Sequence, residues 1–336
     1  MRYMITGAGG FIGGAIAKDL VASGHEIVTF QRGQYPHLDA LGGTHVVGDL
    51  SNLDLLAESM RGCDGVFHVA ALAAISGDPA EFEKANIQGT QNIITACRRE
   101  NIGRLVFTSS PSVVFSGEDQ NGINESTPYP DSYLADYPRT KAIAEKLVLD
   151  NCDASLSTIA IRPHLVWGPG DRHLYPRIID RAKNGKLKLV RRPGMKIDAC
   201  YIENAVSAHV LAMTQIAHNV DCRGKAYFIS NDEPIAPDDL INQFLECANL
   251  QRITPSISPL LAKIAGYLIE KVYCLPFFTS EPPVTRFVVH QQATSHWFDL
   301  DNAKRDLGWL PQVSTKEGMK KFRESLESEE ERVTSS

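Results

Sequence analysis

The sequence predicts an α/β protein built around a doubly wound parallel sheet. Short apolar runs typical of buried strands alternate with helical stretches through the first half of the chain, and such alternation produces parallel pairing through right-handed crossovers. A glycine-rich turn, TGAGGFIGG, joins the first strand to the first helix. With 336 residues, of which 43% are hydrophobic, the chain is long enough to bury the large core that this fold requires.

The predicted elements of the first half follow one another closely. The predicted strands are RYMITG, EIVTF, HVVGD, GVFHVA, RLVFTSS and STIAIRP. The predicted helices span residues 13–23, 53–60, 82–100 and 137–151. Strands of four to seven residues separated by helices of this length are typical of successive βαβ units.

After Pro163 the alternation loosens, because glycine and proline interrupt the segment VWGPGD. Later segments mix a strand, KAYFIS, with a helix, PDDLINQFLECAN. Since KAYFIS is as apolar as the earlier strands, we expect it to rejoin the main sheet. The predicted division is therefore a dinucleotide-binding domain of residues 1–166 with 197–232 returning to it, a smaller intertwined C-terminal substrate region of 167–196 and 233–325, and a flexible tail of 326–336.

Composition argues against several classes of protein. The net charge is −6 and charges of both signs are interspersed, so the chain offers no basic stripe for nucleic acid. Its seven cysteines form no CxxC pair and are odd in number, which predicts neither a metal site nor a disulfide framework. Only residues 1–3 precede the first apolar run, leaving no room for a signal peptide there. We expect a cytoplasmic protein.

One segment, residues 257–278, raises the question of membrane contact because it is rich in apolar residues. Lys263, Glu270 and Lys271 interrupt it, and a segment so charged and so short is not expected to span a bilayer. We expect an amphipathic helix that is buried or lines a cleft. An interfacial helix that touches a membrane peripherally is the alternative.

The glycine-rich turn predicts a dinucleotide site. A predicted strand ends at Thr6. It is followed by Gly7, Gly10 and Gly13 and then by an apolar helix. In this setting the backbone turns sharply, and amide groups at the start of the helix approach a pyrophosphate without an intervening side chain. The spacing GxxGxxG departs from the commonest GxGxxG fingerprint, so a tight turn without a ligand is the alternative.

The end of the second predicted strand indicates which cofactor is preferred. Many NAD-binding folds carry an acidic residue here for the adenosine ribose, but this chain has Gln31 followed by Arg32. The planar guanidinium of Arg32 can pair with a 2′-phosphate, which favours NADP(H) over NAD(H). A solvated surface charge is the other interpretation of Arg32. Asp49, after the third strand, can accept a hydrogen bond from the adenine amino group.

A tyrosine and a lysine four residues apart predict a catalytic pair. Tyr137 and Lys141 lie on one face of a predicted helix, and a fixed positive charge lowers the pKa of a nearby phenol. A tyrosine and a lysine at this spacing are also common on solvated helix faces, so a solvated surface pair without a catalytic role is the alternative. Ser110 and Ser112 follow the strand RLVFT, where hydroxyl groups can bind a substrate carbonyl oxygen, although serine is also frequent in ordinary turns.

Taken together, these motifs resemble the extended short-chain dehydrogenases/reductases over residues 1–310. TGAGGFIG, Asp49-Leu50, HVAALA, Asn86, FTSSPSVVF, YPRTK and RPHLVWGPGD occur in the order and spacing typical of that family. The resemblance implies a Rossmann fold, a Ser110, Tyr137 and Lys141 triad with Ser112 as the fallback serine, and a structural role for Asn86. The cofactor-binding residues that it implies are Gly7, Gly10, Phe11, Ile12, Arg32, Asp49, Leu50, Ala70, Tyr137, Lys141, Pro163 and Val166.

Within that family the sequence is most similar to the 3β-hydroxysteroid dehydrogenase branch, judged by residues 162–187 and 281–309. This resemblance implies the NADPH-dependent reduction of a 2-alkyl-3-oxoalkanoate in long-chain olefin biosynthesis. We expect a homodimer, possible association with other enzymes of the pathway, and an apolar acyl substrate whose chains are received by residues 257–278. The candidates for binding its carboxylate are Arg172, His173, Arg177 and His164.

Three other functions stay open at this point. A 3β-hydroxysteroid or sterol dehydrogenase would use the same chemistry on a rigid ring system. A nucleotide-sugar epimerase would require more polar side chains in residues 257–278 than the sequence offers there. A non-catalytic NADP-binding regulator could share the fold, but such proteins commonly lose the tyrosine or the lysine.

Overall fold

The computed structural model describes residues 1–74, 76–254, 256–273 and 285–334. Its strands fall into one large sheet and three small two-stranded sheets. The strands are β1 (Arg2–Thr6), β2 (Glu26–Gln31), β3 (Thr44–Val47), β4 (Gly65–His68), β5 (Arg104–Thr108), β6 (Gln120–Ile123), β7 (Ser157–Pro163), β8 (Val166–Trp167), β9 (Leu189–Val190), β10 (Cys200–Tyr201), β11 (Lys225–Ile229), β12 (Ser256–Ile257) and β13 (His296–Phe298).

The helices surround the large sheet and build the C-terminal region. They are α1 (Phe11–Ala22), α2 (Pro36–Asp39), α3 (Leu53–Met60), α4 (Pro79–Phe82), α5 (Gly89–Arg99), α6 (Asp136–Asp150), α7 (Leu174–Lys183), α8 (Ile202–His218), α9 (Pro237–Cys247), α10 (Pro259–Tyr273), α11 (Arg286–Ala293) and α12 (Thr315–Thr334).

The large sheet has seven parallel strands in the order β11, β7, β5, β4, β1, β2, β3. The strand order reverses at β1, so crossover helices lie on both faces, as in other doubly wound folds. The strand KAYFIS joins this sheet through β11, with Lys225 opposite Ile159 on β7. That expectation is confirmed.

Alternating side chains of the strands feed two apolar cores. Met4 belongs to a core that also contains Leu56 and Ile93 from α3 and α5. Its neighbour Ile5 belongs to the other core, with side chains of α1 and α8. Because successive side chains of a strand point to opposite faces, the sheet is buried on both sides.

Two predicted helices differ from the structure by more than one residue. Helix α1 begins at Phe11, two residues earlier than expected, because Gly10 is extended and caps the helix. The helix expected over residues 82–100 is divided into α4, a π-helical turn at Glu83–Gln88 and α5. The wide turn contains the buried Asn86, whose side chain is bound by backbone groups outside the helix.

The C-terminal part contains two long helices, α10 and α12. Helix α12 extends to Thr334, so the backbone is helical over most of the residues expected to form a flexible tail, and two Lys–Glu pairs at helical spacing lie in its N-terminal half. Helix α10 is buried along one side only, where Gly266 packs on Val289 of α11 and Ala262 is buried, whereas its other apolar face is exposed. The exposed large side chains of α10 are Leu260, Leu261, Ile264, Tyr267 and Leu268.

Residues 274–278, the end of the apolar segment, lie outside the described residues. Among the described helices, none combines the length and the apolar character needed to cross a bilayer.

Candidate active site

The glycine-rich turn brings the end of β1 into close contact with the loop after β4. Gly7 has a φ of +71°, a conformation that side chains other than glycine rarely adopt. A Cβ atom on Gly7 would lie 2.8 Å from the backbone nitrogen of Ala70, and one on Gly13 would lie 2.5 Å from the Gly7 carbonyl oxygen. These glycines are therefore required by the close approach of backbone to backbone.

A cleft of about 450 Å³ opens beyond the carboxyl ends of the central strands. This is where doubly wound sheets bind ligands. Three of the predicted cofactor residues, Tyr137, Lys141 and Pro163, are absent from the lining of this cleft among the described residues. The predicted cofactor residues that do line it are Gly7, Gly10, Phe11, Ile12, Arg32, Asp49, Leu50, Ala70 and Val166.

One end of the cleft carries an unsatisfied acceptor beside two cations. Only 7% of the surface of Gln31 is exposed, and its Oε1 atom has no hydrogen-bond partner among the described residues. The exposed Arg32 and Lys84 lie in the same wall. Hydrogen bonds from Ser51 lower the pKa of Asp49, and the charges of Lys84 and Arg32 contribute.

This end therefore fits the adenosine of a dinucleotide. The orphan Gln31 oxygen can accept a hydrogen bond from a ribose hydroxyl, since a buried acceptor without a partner is unfavourable. Arg32 and Lys84 can neutralise a phosphate. The glycine-rich turn leaves backbone amide groups free for a pyrophosphate.

Sequence reasoning did not identify Lys84 or Tyr35 as part of the cleft. The Tyr35 ring lies over the turn, so that a Cβ atom on Gly9 would come within 2.2 Å of it. Lys84 lies in the π-helical turn, two residues before Asn86. No local spacing in the sequence predicts that Lys84 or Tyr35 lies in the cleft. The one signal that could have identified Lys84 is its proximity in sequence to Asn86.

Helix α6 carries both predicted catalytic side chains, Tyr137 in its first turn and Lys141 one turn later. Lys141 is 2% exposed. Its Nζ atom donates a hydrogen bond to the Thr108 carbonyl oxygen at 2.6 Å and lies 4.0 Å from the centre of the Phe107 ring. Burial lowers the pKa of Lys141 to about 7, and Glu145 opposes this fall.

Tyr137 is half-buried, and its surroundings act on the phenol differently from what the sequence predicts. Burial raises the pKa of Tyr137, and the Ser110 side chain opposes the rise by hydrogen bonding. Lys141 is not among the groups that shift this pKa. The expected lowering of the Tyr137 pKa by Lys141 is therefore not found in this structure, where the ammonium group donates to the Thr108 carbonyl.

The serines after β5 have different roles in the structure. Ser110 caps the short helical turn Pro111–Val114. Its Oγ atom accepts hydrogen bonds from the Ser112 amide at 3.2 Å and from the Ser112 hydroxyl at 2.9 Å. Since both interactions use Ser110 as the acceptor, its own proton remains available to the Tyr137 phenol or to a substrate. The geometry favours Ser110 over Ser112.

Asn86 connects the loop after β4 to helix α6. Its Oδ1 atom accepts from the Leu72 amide at 2.8 Å, and its Nδ2 atom donates to the Leu72 carbonyl at 3.1 Å and to Thr140 Oγ1 at 3.0 Å. Thr140 directly precedes Lys141. The position of α6 is thereby coupled to the wall of the cofactor cleft.

A buried histidine extends this coupling to β1. His68 Nδ1 lies 2.8 Å from Thr6 Oγ1, and Nε2 lies 2.9 Å from Thr90 Oγ1. Burial, with a contribution from the charge of Lys141, lowers the pKa of His68 to about 3. The imidazole is therefore neutral at physiological pH and serves as a fixed hydrogen-bonding bridge.

The four residues expected to bind a substrate carboxylate lie apart. His173 lines the cleft, Arg172 lines a neighbouring cavity of about 810 Å³, and Arg177 is exposed on α7. His164 is 7% exposed and bound through Nδ1 to the Asp198 carbonyl at 2.7 Å. Burial and His296 lower the pKa of His164 to about 3. It is therefore neutral and already engaged, which removes it as a carboxylate receptor.

The described residues contain no group of three or more metal-binding side chains.

Comparison with known proteins places these features in context. The model of the 3-beta hydroxysteroid dehydrogenase/isomerase family matches residues 4–257. A 2-alkyl-3-oxoalkanoate reductase of Shewanella oneidensis is 47% identical over 96% of this chain and 85% of its own length. A 2-alkyl-3-oxoalkanoate reductase of Stenotrophomonas maltophilia is 42% identical over 97% of this chain and 99% of its own length. The decarboxylating sterol-4-alpha-carboxylate 3-dehydrogenase of Mus musculus is 31% identical over 97% and 91%.

Solved structures support the fold. MoeE5 in complex with UDP-glucuronic acid and NAD superimposes with a TM-score of 0.74 at 24% identity, covering 98% of this chain and 100% of that one. A UDP-glucose 4-epimerase of Thermotoga maritima gives a TM-score of 0.76 at 19% identity, with coverage of 98% and 99%. At these identities the likeness extends to the architecture alone.

Proposed function

The chain belongs to the 3-beta hydroxysteroid dehydrogenase/isomerase family, and on this basis we propose that it reduces the 3-carbonyl of a 2-alkyl-3-oxoalkanoate to a hydroxyl group. Membership makes it an NAD(P)-dependent oxidoreductase of the short-chain dehydrogenase/reductase type. The observation that carries the substrate proposal is the near-full-length similarity to two bacterial reductases named for this substrate.

The proposed reaction adds a hydride to the carbonyl carbon and a proton to the carbonyl oxygen. A bound nicotinamide cofactor supplies the hydride. Tyr137 donates the proton, and Ser110 donates a hydrogen bond to the same oxygen as negative charge develops on it. Lys141 holds a positive charge beside the Thr108 carbonyl at the end of β5, and its ammonium group would bind the nicotinamide ribose of the cofactor.

Tyr137 enters the reaction with its proton in place, and burial, which raises the pKa of the phenol, makes that proton harder to give up. A phenol whose pKa lies above its usual value remains protonated at neutral pH, so the proton is present when the substrate binds. Ser110 is the side chain whose hydrogen bonding opposes this rise in the pKa of the phenol. The pair can therefore hold one carbonyl oxygen between two donors.

We further propose that NADP(H) is preferred over NAD(H). Gln31 replaces the carboxylate that would repel a 2′-phosphate. Arg32 and Lys84 supply two positive charges in the same wall of the cleft, and charge-assisted bonds to phosphate are the strong ones. Homodimer formation, association with other pathway enzymes, peripheral membrane contact and a cytoplasmic location remain predictions.

A 3β-hydroxysteroid or sterol dehydrogenase is the second candidate, favoured by the similarity to the mouse sterol dehydrogenase. Both candidates use the same hydride and proton transfers. They differ in the shape of the apolar part of the substrate, so substrate competition separates them.

The purified enzyme with NADPH would be given a long-chain 2-alkyl-3-oxo acid, a steroid ketone or a UDP-sugar. Since 3-oxo acids lose carbon dioxide spontaneously, the oxidation of the matching 2-alkyl-3-hydroxy acid with NADP⁺ provides a stable assay in the reverse direction. We expect the largest kcat/KM for the alkyl acid, rising as the chain lengthens because each buried methylene adds about 0.8 kcal/mol. A larger kcat/KM for the steroid or the UDP-sugar would overturn the assignment.

A further inference from the structure

Glu145 lies one helical turn beyond Lys141 on α6 and is fully buried. Its carboxylate accepts hydrogen bonds from three donors. Arg162 Nε donates to Oε2 at 2.9 Å and Arg162 Nη2 donates to Oε1 at 2.6 Å. The Tyr129 hydroxyl donates to Oε1 at 2.6 Å. Because the side chain of Arg162 is only 3% exposed, this is an ion pair removed from water.

Stability alone is a poor explanation for such a pair. Removing two charges from water is unfavourable, and apolar residues of similar volume often stabilise a core as well or better. The pair is also incompletely satisfied, since Arg162 Nη1 has no partner in the part of the chain that the structure describes. A buried charge retained under these conditions is a candidate for a role beyond packing.

Helix α6 connects the pair to the active site. Lys141 and Glu145 are four residues apart, so they share one face of the helix. Lys141 contacts Thr108 on β5, whereas Glu145 contacts Arg162 on β7, and these strands are neighbours in the sheet. The ammonium and the carboxylate therefore occupy one buried layer between helix and sheet, where little water screens their attraction.

We propose that Glu145, fixed by Arg162 and Tyr129, is a positioning residue that keeps the buried Lys141 ammonium charged for the reaction. This inference rests on the proposed function for its catalytic meaning. Its physical content, the influence of Glu145 on Lys141, does not depend on the identity of the substrate.

The other groups around Lys141 do not supply the missing negative charge. His68 on β4 is neutral, and Tyr137 on α6 is a protonated phenol because burial raises its pKa. Arg162 on β7 is a cation, and the Tyr129 hydroxyl is an uncharged donor to Glu145. Glu145 is the one group that opposes the fall in the pKa of Lys141.

The test measures the titration of Lys141 directly in the ligand-free protein. Lysine side chains labelled with ¹³C are followed by NMR as the pH changes, and the Lys141 signal is assigned by its loss in the Lys141→Arg variant. In the unmodified protein we expect a midpoint of about 7. In Glu145→Gln we expect the midpoint to fall by about 1 unit or more, the size typical of losing a close opposite charge.

Three further variants separate charge from structure. Glu145→Asp retains the carboxylate and is expected to keep the midpoint near its original value. The double variant Glu145→Gln with Arg162→Gln removes both charges and avoids an unpaired buried arginine, so it serves if Glu145→Gln does not fold. Its midpoint is expected to fall, but by less than in the single variant.

Glu125→Gln is the matched control. Glu125 is a largely buried carboxylate that acts on Arg162 and binds the Phe228 amide at 2.7 Å, but it is not among the groups that shift the pKa of Lys141. Its variant should leave the Lys141 titration unchanged.

The inference is overturned if folded Glu145→Gln, or the double variant, titrates at the same pH as the Glu125→Gln control. It is also overturned if Lys141 in the unmodified protein stays charged to the usual pH of a lysine. The activity of Glu145→Gln with NADPH and the alkyl substrate is measured in parallel, and we expect its optimum to move to lower pH. Failure of the unmodified enzyme to turn over that substrate would contradict the proposed function and leave the NMR result standing.

Discussion

The two ends of the active-site region place their charges in opposite surroundings. At the proposed adenosine end, Arg32 and Lys84 are exposed to water. At the proposed catalytic end, Lys141 is 2% exposed and Glu145 is fully buried. Charges in water are screened and contribute modestly one by one. Charges in the interior are strongly coupled to their partners. Cofactor preference should therefore change gradually with substitution, whereas turnover should be lost abruptly.

The largest effect is expected for Tyr137→Phe. Losing a positioned acid should lower kcat by at least about 100-fold, while NADPH binding remains nearly intact. Stopped-flow kinetics and a cofactor-binding titration measure the two quantities. Tyr133→Phe is the matched control, since that hydroxyl donates to the Val113 carbonyl at 3.0 Å. Near-normal turnover in Tyr137→Phe would show that another group supplies the proton.

The next effect is a pH dependence set by the buried lysine. Burial lowers the pKa of Lys141 to about 7, so the ammonium is present below that pH and is lost above it. Because kcat/KM for NADPH reports groups of the free enzyme, it should fall about tenfold per pH unit above the midpoint. The phenol stays protonated in this range, since burial raises the pKa of Tyr137.

The control for this pH dependence is Lys141→Arg, whose guanidinium remains charged throughout the range. Any activity that this variant retains should show no decline near pH 7. A flat profile to pH 9 in the unmodified enzyme would contradict the assignment of the group, and Lys141→Ala should impair both NADPH binding and turnover.

The smallest effect is expected at the adenosine end. Arg32→Ala should weaken NADPH binding by roughly tenfold while leaving NADH binding almost unchanged, since only NADPH carries the 2′-phosphate. Lys84→Ala should also weaken NADPH binding, but by a smaller factor. Calorimetric titrations at low and high salt measure both, and the difference between the cofactors should shrink in salt. Equal affinities for NADPH and NADH in the unmodified protein would refute the preference.

The sequence predicted those features that local spacing encodes. Tyr137 and Lys141 could be placed on one helix face because four residues make about one turn. The strands of the sheet were identified from apolar runs with turn residues at their ends. The glycines were informative because close backbone approach excludes other residues at Gly7 and Gly13.

Features that depend on tertiary contact could not be predicted in this way. Lys84 and Tyr35 reach the cleft from separate segments, and no periodicity connects them. The Glu145–Arg162 pair joins a helix to a strand, so its existence follows from how α6 packs on β7. The sequence left open whether α10 is covered or exposed, because an apolar helical pattern states which side chains are apolar and not whether a neighbour covers them.

The position of β11 has a consequence for how the chain acquires its structure during synthesis. This strand pairs with the edge of β7, but the ribosome synthesises it only after the whole intervening stretch of residues 164–224, which contains α7 and α8. Until then the edge of β7 carries unpaired backbone groups that can associate with another nascent chain. The seven-stranded sheet is therefore completed late, and the interval between the synthesis of β7 and that of β11 is the period when aggregation competes with folding.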